Sequence, residues 1–134
     1  MYISVADPDK KSAVDIGRRL AKIGFRTFAT KGTAEVLREH GLEPVLVHRI
    51  SEHGSPDALT LMRSGEVQLV VNTPTEASGA RRDGYMMRRL AVELEIPMFT
   101  TIQGARAATM AIEFACGKDT TVNDLSYFHR GHGA

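Results

Sequence analysis

In Ala29-Thr30-Lys31-Gly32-Thr33 two hydroxyls, one ammonium and a glycine stand between a strand candidate, Phe25–Phe28, and a helical pattern. A turn of that composition can hold an anion. The first N–H groups of a helix have no intrahelical acceptor, the helix dipole places partial positive charge there, and Thr30, Lys31 and Thr33 add donors around Gly32. Phosphate suits such a site. The same residues also fit a purely local reading, in which Thr33 caps the helix and Gly32 relieves the turn.

Donor residues recur at other positions of the same kind. Ser4 and Lys10 flank the end of the first apolar run, His48 and Arg49 follow the third, Asn72 and Thr73 the fourth, and Thr100 and Thr101 the fifth. In an open parallel sheet, ligands bind outside the carboxyl ends of the strands, so this set points to a phosphorylated small molecule. Taken singly, each has a local explanation: Lys10 can be solvated, Asn72-Thr73-Pro74 can be a turn, and Thr100-Thr101 can simply end a strand.

Signals for catalysis are thinner. The chain has no Gly-x-Ser-x-Gly, no Walker-type loop and no Gly-x-Gly-x-x-Gly. His40, His48 and His53, and again His129 and His132, are not spaced to place two imidazoles on one helical face, so no metal site is expected. Asp7, Asp9, Glu52, Asp57 and Asp83 fall at expected loops or helix starts, where capping accounts for them.

These residues are positioned by a βα alternation repeated five times. The strand candidates are Tyr2–Val5, Phe25–Phe28, Pro44–His48, Val67–Val71 and Pro97–Phe99, mostly continuous rather than alternating in apolar character, as in strands covered on both faces. The expectation is an α/β fold of three layers, with a five-stranded parallel sheet flanked by helices. The first helix is expected to open with Asp7 as cap and Pro8 at its first position, to turn Ala13, Ile16, Leu20 and Ile23 inward, and to end at Gly24. Gly41 closes the second. Ser55-Pro56 opens the third and Gly65 ends it, while Met86, Leu90 and Leu94 mark the fourth. A fifth runs from about Ala105 to Ala115 with Gly117 as its stop. That gives one domain over residues 1–117 and a polar tail over 118–134, in which Val122, Leu125, Tyr127 and Phe128 are the apolar residues.

The 134 residues, 43% of them hydrophobic, are enough for one core. Seventeen basic and sixteen acidic residues give a net charge of +1 without any long block of one sign, so neither nucleic acid nor a membrane is an expected partner. Cys116 is the only cysteine, which excludes an internal disulfide and makes a cytoplasmic location the simpler expectation. No signal peptide or membrane-spanning run is visible.

The sequence resembles the methylglyoxal-synthase-like domains, and most closely the carboxyl-terminal allosteric domains of carbamoyl-phosphate synthase large chains. The resemblance spans nearly the whole chain. It is carried by 3–10 (Ile-Ser-Val-Ala-Asp-Pro-Asp-Lys), by Gly24-Phe25 and the Ala29–Ala34 turn, by Leu69–Pro74, by Asp83-Gly84-Tyr85 with Arg88-Arg89, and by Thr100-Thr101 with Gly104–Ala107. It implies a non-catalytic regulatory domain that binds a nucleotide monophosphate of the UMP or IMP type at the strand ends. It further implies that Lys10, Thr30 and Thr33 hold the effector phosphate with Ser4 beside them, and that Asn72 and Thr73 serve the ribose or base. Arg49 stands where the family often has lysine, keeping the charge but replacing a point charge by a planar fork. Thr100, with Thr101, matches a boundary position that meets ornithine in responsive members.

The implied partners are the synthetase domains of the large chain and a glutaminase small chain. No cofactor is implied for this domain, while the parent ligase uses ATP and magnesium in pyrimidine and arginine biosynthesis. A related enzyme, methylglyoxal synthase acting on dihydroxyacetone phosphate, is the alternative. It places a catalytic aspartate where this chain has Ser55, with Asp57 two residues late, and serine cannot serve as the carboxylate base. The cyclohydrolase domain of purine synthesis, another relative, carries a Lys-Thr-Leu-His-Pro motif that is absent here.

Overall fold

A computed structural model describes residues 1–75 and 79–118. Five short strands, β1 (Tyr2–Ser4), β2 (Phe28–Ala29), β3 (Val45–Leu46), β4 (Val70–Asn72) and β5 (Met98–Phe99), pair in parallel in the order β3-β2-β1-β4-β5. Each is followed by a helix: α1 (Lys10–Ile23), α2 (Lys31–Glu39), α3 (Ala58–Ser64), α4 (Ala80–Leu94) and α5 (Ile102–Lys118). The chain steps outward from β1 to β3 and then crosses back to place β4 on the other side of β1. The strand order therefore reverses beside β1, which is where a crevice opens in sheets of this type.

The continuous apolar strands are explained by burial on both faces. Ile3, Val5, Ala29, Leu69 and Val71 pack with α1, α2 and α5, whereas Tyr2, Phe28, Val47, Val67 and Val70 pack with α3 and α4. Alternation along a strand thus sorts residues between two apolar layers, not between core and water. On one side, Arg19 of α1 reaches Glu113 of α5 at 3.2 Å across a partly exposed seam.

Most element boundaries follow the sequence signals, with identifiable exceptions. Gly24 and Gly65 end α1 and α3 in the left-handed conformation, and Gly41 adopts it just beyond α2. Asp7 does not cap α1. Asp7–Asp9 form a 3-10 turn, α1 begins at Lys10, and the Asp7 carboxylate pairs with the Lys10 ammonium. Ser55-Pro56 does not open α3; Asp57 does, its carboxylate accepting the Thr60 N–H at 2.9 Å and the Thr60 hydroxyl at 3.0 Å. In α4 the inward residues are Met87, Leu90 and Ala91, while Leu94 is exposed. Helix α5 starts at Ile102 and passes through Gly117, because a glycine in a helix costs only about 1 kcal/mol and this one sits in open space. The expected tail falls outside the described residues apart from Lys118, which closes α5.

Candidate functional site

The carboxyl ends of β2, β1 and β4 present a row of polar side chains on the α3 and α4 side of the sheet. Tyr2 and Ser4 alternate to that face, as do Phe28 with Thr30 and Val70 with Asn72, since each pair is two residues apart. Register sets Ser4 opposite Asn72, and the Ser4 hydroxyl lies 2.7 Å from that of Thr30. Thr30, Ser4 and Asn72 therefore span three adjacent strands. Either hydroxyl of the Ser4–Thr30 pair can donate, and Ser4 also hydrogen-bonds with the Tyr2 phenol.

Two further threonines fix the backbone around this row. The buried Thr33 hydroxyl accepts the Val5 N–H at 3.1 Å, and the buried Thr73 hydroxyl accepts the Ala6 N–H at 2.8 Å. Thr33 does not cap its helix. Thr30 occupies the cap position of α2, and its side chain turns to Ser4 rather than to the helix. The first bond of α2 runs from the Ala34 N–H to the Thr30 carbonyl at 2.7 Å, so the N–H groups of Lys31, Gly32 and Thr33 form the open helix end.

Lys10 reaches this helix end from α1. A Cβ on Gly32 would stand 3.1 Å from the Lys10 Nζ, so the ammonium lies directly over the glycine. Of the expected phosphate group, Lys10, Thr30, Gly32 and Ser4 are thus brought together. Lys31 is exposed, and Thr33 acts within the protein as the anchor of Val5.

Residues 12–100 match the family described as MGS-like domain. The chain belongs to the MGS-like domain family. This MGS-like domain is 52% identical over 129 residues to the "Carbamoyl phosphate synthase large chain, C-terminal section" of Methanopyrus kandleri, a match covering 96% of this chain and 24% of that protein. It is 50% identical over 113 residues to the protein of the same description from Methanocaldococcus jannaschii, covering 84% of this chain and 18% of the relative. Against the "Carbamoyl phosphate synthase large chain" of Mycobacterium tuberculosis it is 44% identical over 135 residues, covering 97% of this chain and 12% of that one. The chain spans about a quarter or less of the length of these relatives.

On the far side of the row the MGS-like domain places Arg49, which the sequence reading included in the site, near Ser51 and Asp83, which it did not. Arg49 precedes a 3-10 turn, Ile50–Glu52, and its N–H donates to the Glu52 carboxylate at 2.7 Å. Ser51 of that turn donates to Asp83 of α4, from its N–H at 3.2 Å and from its hydroxyl at 2.9 Å. Tyr2 lies beside Ser4. Burial pushes its phenol well above the usual range, and the charges of Asp83, Arg49 and Asp57 all act on it, so these groups surround one small region. His48 pairs with Asp57 as an isolated bridge, its N–H donating to the Pro56 carbonyl at 2.9 Å, and Gly54 closes over its ring.

Thr100 stands apart from this group. It lines an open depression of about 650 Å³ with Arg88, Glu95 and Met98, on the β5 side of α4. Thr101 immediately precedes α5, its carbonyl accepting the Ala105 N–H at 3.1 Å and its hydroxyl accepting the Gly104 N–H at 3.1 Å. Among the described residues no helix is long and apolar enough to cross a membrane.

Proposed function

We propose that this domain is the regulatory section of a carbamoyl-phosphate synthase large chain and binds a nucleotide monophosphate of the UMP or IMP type. The observation that carries the reading is the Lys10 ammonium lying over Gly32 at the open end of α2. A cation at the positive end of a helix dipole is unfavourable by itself and becomes favourable when an anion sits between the two. Asp7 pairs with Lys10 here, but its carboxylate is 91% exposed and a phosphate can take its place.

The Thr30 and Ser4 hydroxyls stand at that phosphate position, and Asn72 beside them supplies a neutral amide, which fits a sugar and base. Arg49 supplies a second cation on the same side. The depression at Thr100 offers a different chemistry, with Arg88 for a carboxylate and Glu95 for an ammonium. That supports an amino acid such as ornithine as a second effector, at a boundary with a neighbouring domain. On this reading ATP, magnesium, the synthetase domains and a glutaminase small chain belong to the rest of a cytoplasmic ligase serving pyrimidine and arginine biosynthesis. The present domain carries no step of its own. A methylglyoxal synthase reading finds no support at the loop before α3, where Ser55 replaces the carboxylate and Asp57 is engaged as the cap of α3.

Titration calorimetry with UMP and IMP tests the proposal. Micromolar to millimolar binding by the chain, weakened roughly tenfold to a hundredfold by Thr30→Ala, is the expected result for a hydroxyl bond to a charged group. Binding of neither nucleotide, or turnover of dihydroxyacetone phosphate with release of inorganic phosphate, would overturn it.

A further inference from the structure

Asp83 is the only buried acidic side chain among the described residues, at 6% exposure. A buried carboxylate is costly unless it is hydrogen-bonded, and here one oxygen, Oδ2, accepts two bonds from a single residue, Ser51, thirty-two positions earlier. Ser51 lies two residues after Arg49, inside the turn that fixes where Arg49 stands.

The start of α4 is built closely around that contact. Gly79 has φ +79, and a Cβ there would lie 2.7 Å from the Ser51 Cβ, so only glycine permits the helix end to approach the turn this nearly. The Asp83 N–H donates to the Gly79 carbonyl at 2.9 Å, tying the carboxylate to the same helix end. Next to it, a Cβ on Gly84 would lie 3.5 Å from the Asn72 amide nitrogen. One stretch of α4 thus touches both the Arg49 turn and the polar row on the sheet.

We propose that Asp83 is a positioning residue, which through its two bonds to Ser51 holds the 49–52 turn so that the Arg49 guanidinium meets the nucleotide at the Ser4–Thr30–Asn72 row. This inference rests on the nucleotide reading above and adds to it the part of the protein that sets Arg49. Asp83 itself does not touch the ligand.

A double-mutant cycle read by titration calorimetry with UMP and IMP tests this. Asp83→Asn should weaken binding by roughly tenfold, the scale of losing alignment with one charged partner. Ser51→Ala, which keeps the backbone donor and perturbs the fold less, should weaken it severalfold. In an Arg49→Ala background neither change should cost anything further, an outcome that a general loss of packing would not produce. Equal affinity of Asp83→Asn and the parent, or the same loss with and without Arg49, overturns the positioning role while leaving the nucleotide site standing. A parent chain that binds neither nucleotide overturns both.

Discussion

The hydroxyl of Thr33 accepts the Val5 N–H at 3.1 Å, which pins the first turn of α2 to the end of β1. The bond is buried, and it fixes the spacing between the helix end and the strand on which Ser4 stands. Replacing Thr33 by Val keeps the shape and leaves the Val5 N–H without an acceptor. The expected cost is about 1–3 kcal/mol in urea unfolding, with Thr33→Ser losing less because it keeps the oxygen. Unchanged stability in Thr33→Val would show that water or a shift of the strand satisfies Val5.

Gly32 gives a test that separates binding from folding. A methyl at this position would lie 3.1 Å from the flexible end of Lys10, which can move aside, and alanine favours helix over glycine by roughly 0.5–1 kcal/mol. Gly32→Ala should therefore leave stability equal or slightly higher while weakening nucleotide binding severalfold, because the methyl stands where Lys10 and the phosphate must meet. Lys10→Ala should also weaken binding, and its effect should shrink as salt rises from low to physiological strength. A salt-independent loss would assign Lys10 a packing role.

The residues of the polar row were legible in the sequence because each lies at or just beyond the end of an apolar run, and the βα alternation fixes which end of a strand carries the site. Ser51 and Asp83 were not. They are far apart in sequence, and an aspartate in the first turn of a helix reads as a solvated group favoured by the dipole. Its burial comes from the approach of Gly79 to Ser51, which no local pattern records. The start of α3 was misread for a different reason: Ser55-Pro56 and Asp57 offer two start signals two residues apart, and the cap bonds to Thr60 select the second. At α5 the expected stop at Gly117 gave way because nothing in a glycine forces a left-handed turn.

Asn72 and Thr100 end neighbouring strands yet serve separate places, one in the polar row and the other in the depression with Arg88 and Glu95. Asn72→Ala should impair nucleotide binding. Thr100→Ala should leave it within about twofold, well under the tenfold that corresponds to 1.4 kcal/mol, and on the proposed function should instead alter the response to ornithine when the chain is joined to the synthetase portion of a carbamoyl-phosphate synthase large chain. Equal losses of nucleotide affinity in the two variants would contradict this division.

The amino terminus couples stability to pH when Met1 is the first residue. Its side chain is fully buried, and its amine donates to the Arg26 carbonyl at 2.6 Å. Burial lowers the amine from its ordinary value of 8.0 to about 5. Between those values the unfolded chain binds the proton and the folded chain does not, so this group makes stability rise as pH increases from about 5 to 8 and contributes no slope above that window. At 1.36 kcal/mol per unit the upper limit is about 4 kcal/mol, and the hydrogen bond to Arg26, which favours the charged form, works against it. The measurement is therefore a comparison of urea unfolding from pH 5 to 8.5 between the chain with a free amine and its acetylated form, which has no such titration. The free amine should give the steeper rise; parallel profiles would show that the Met1 amine reaches water in the folded state.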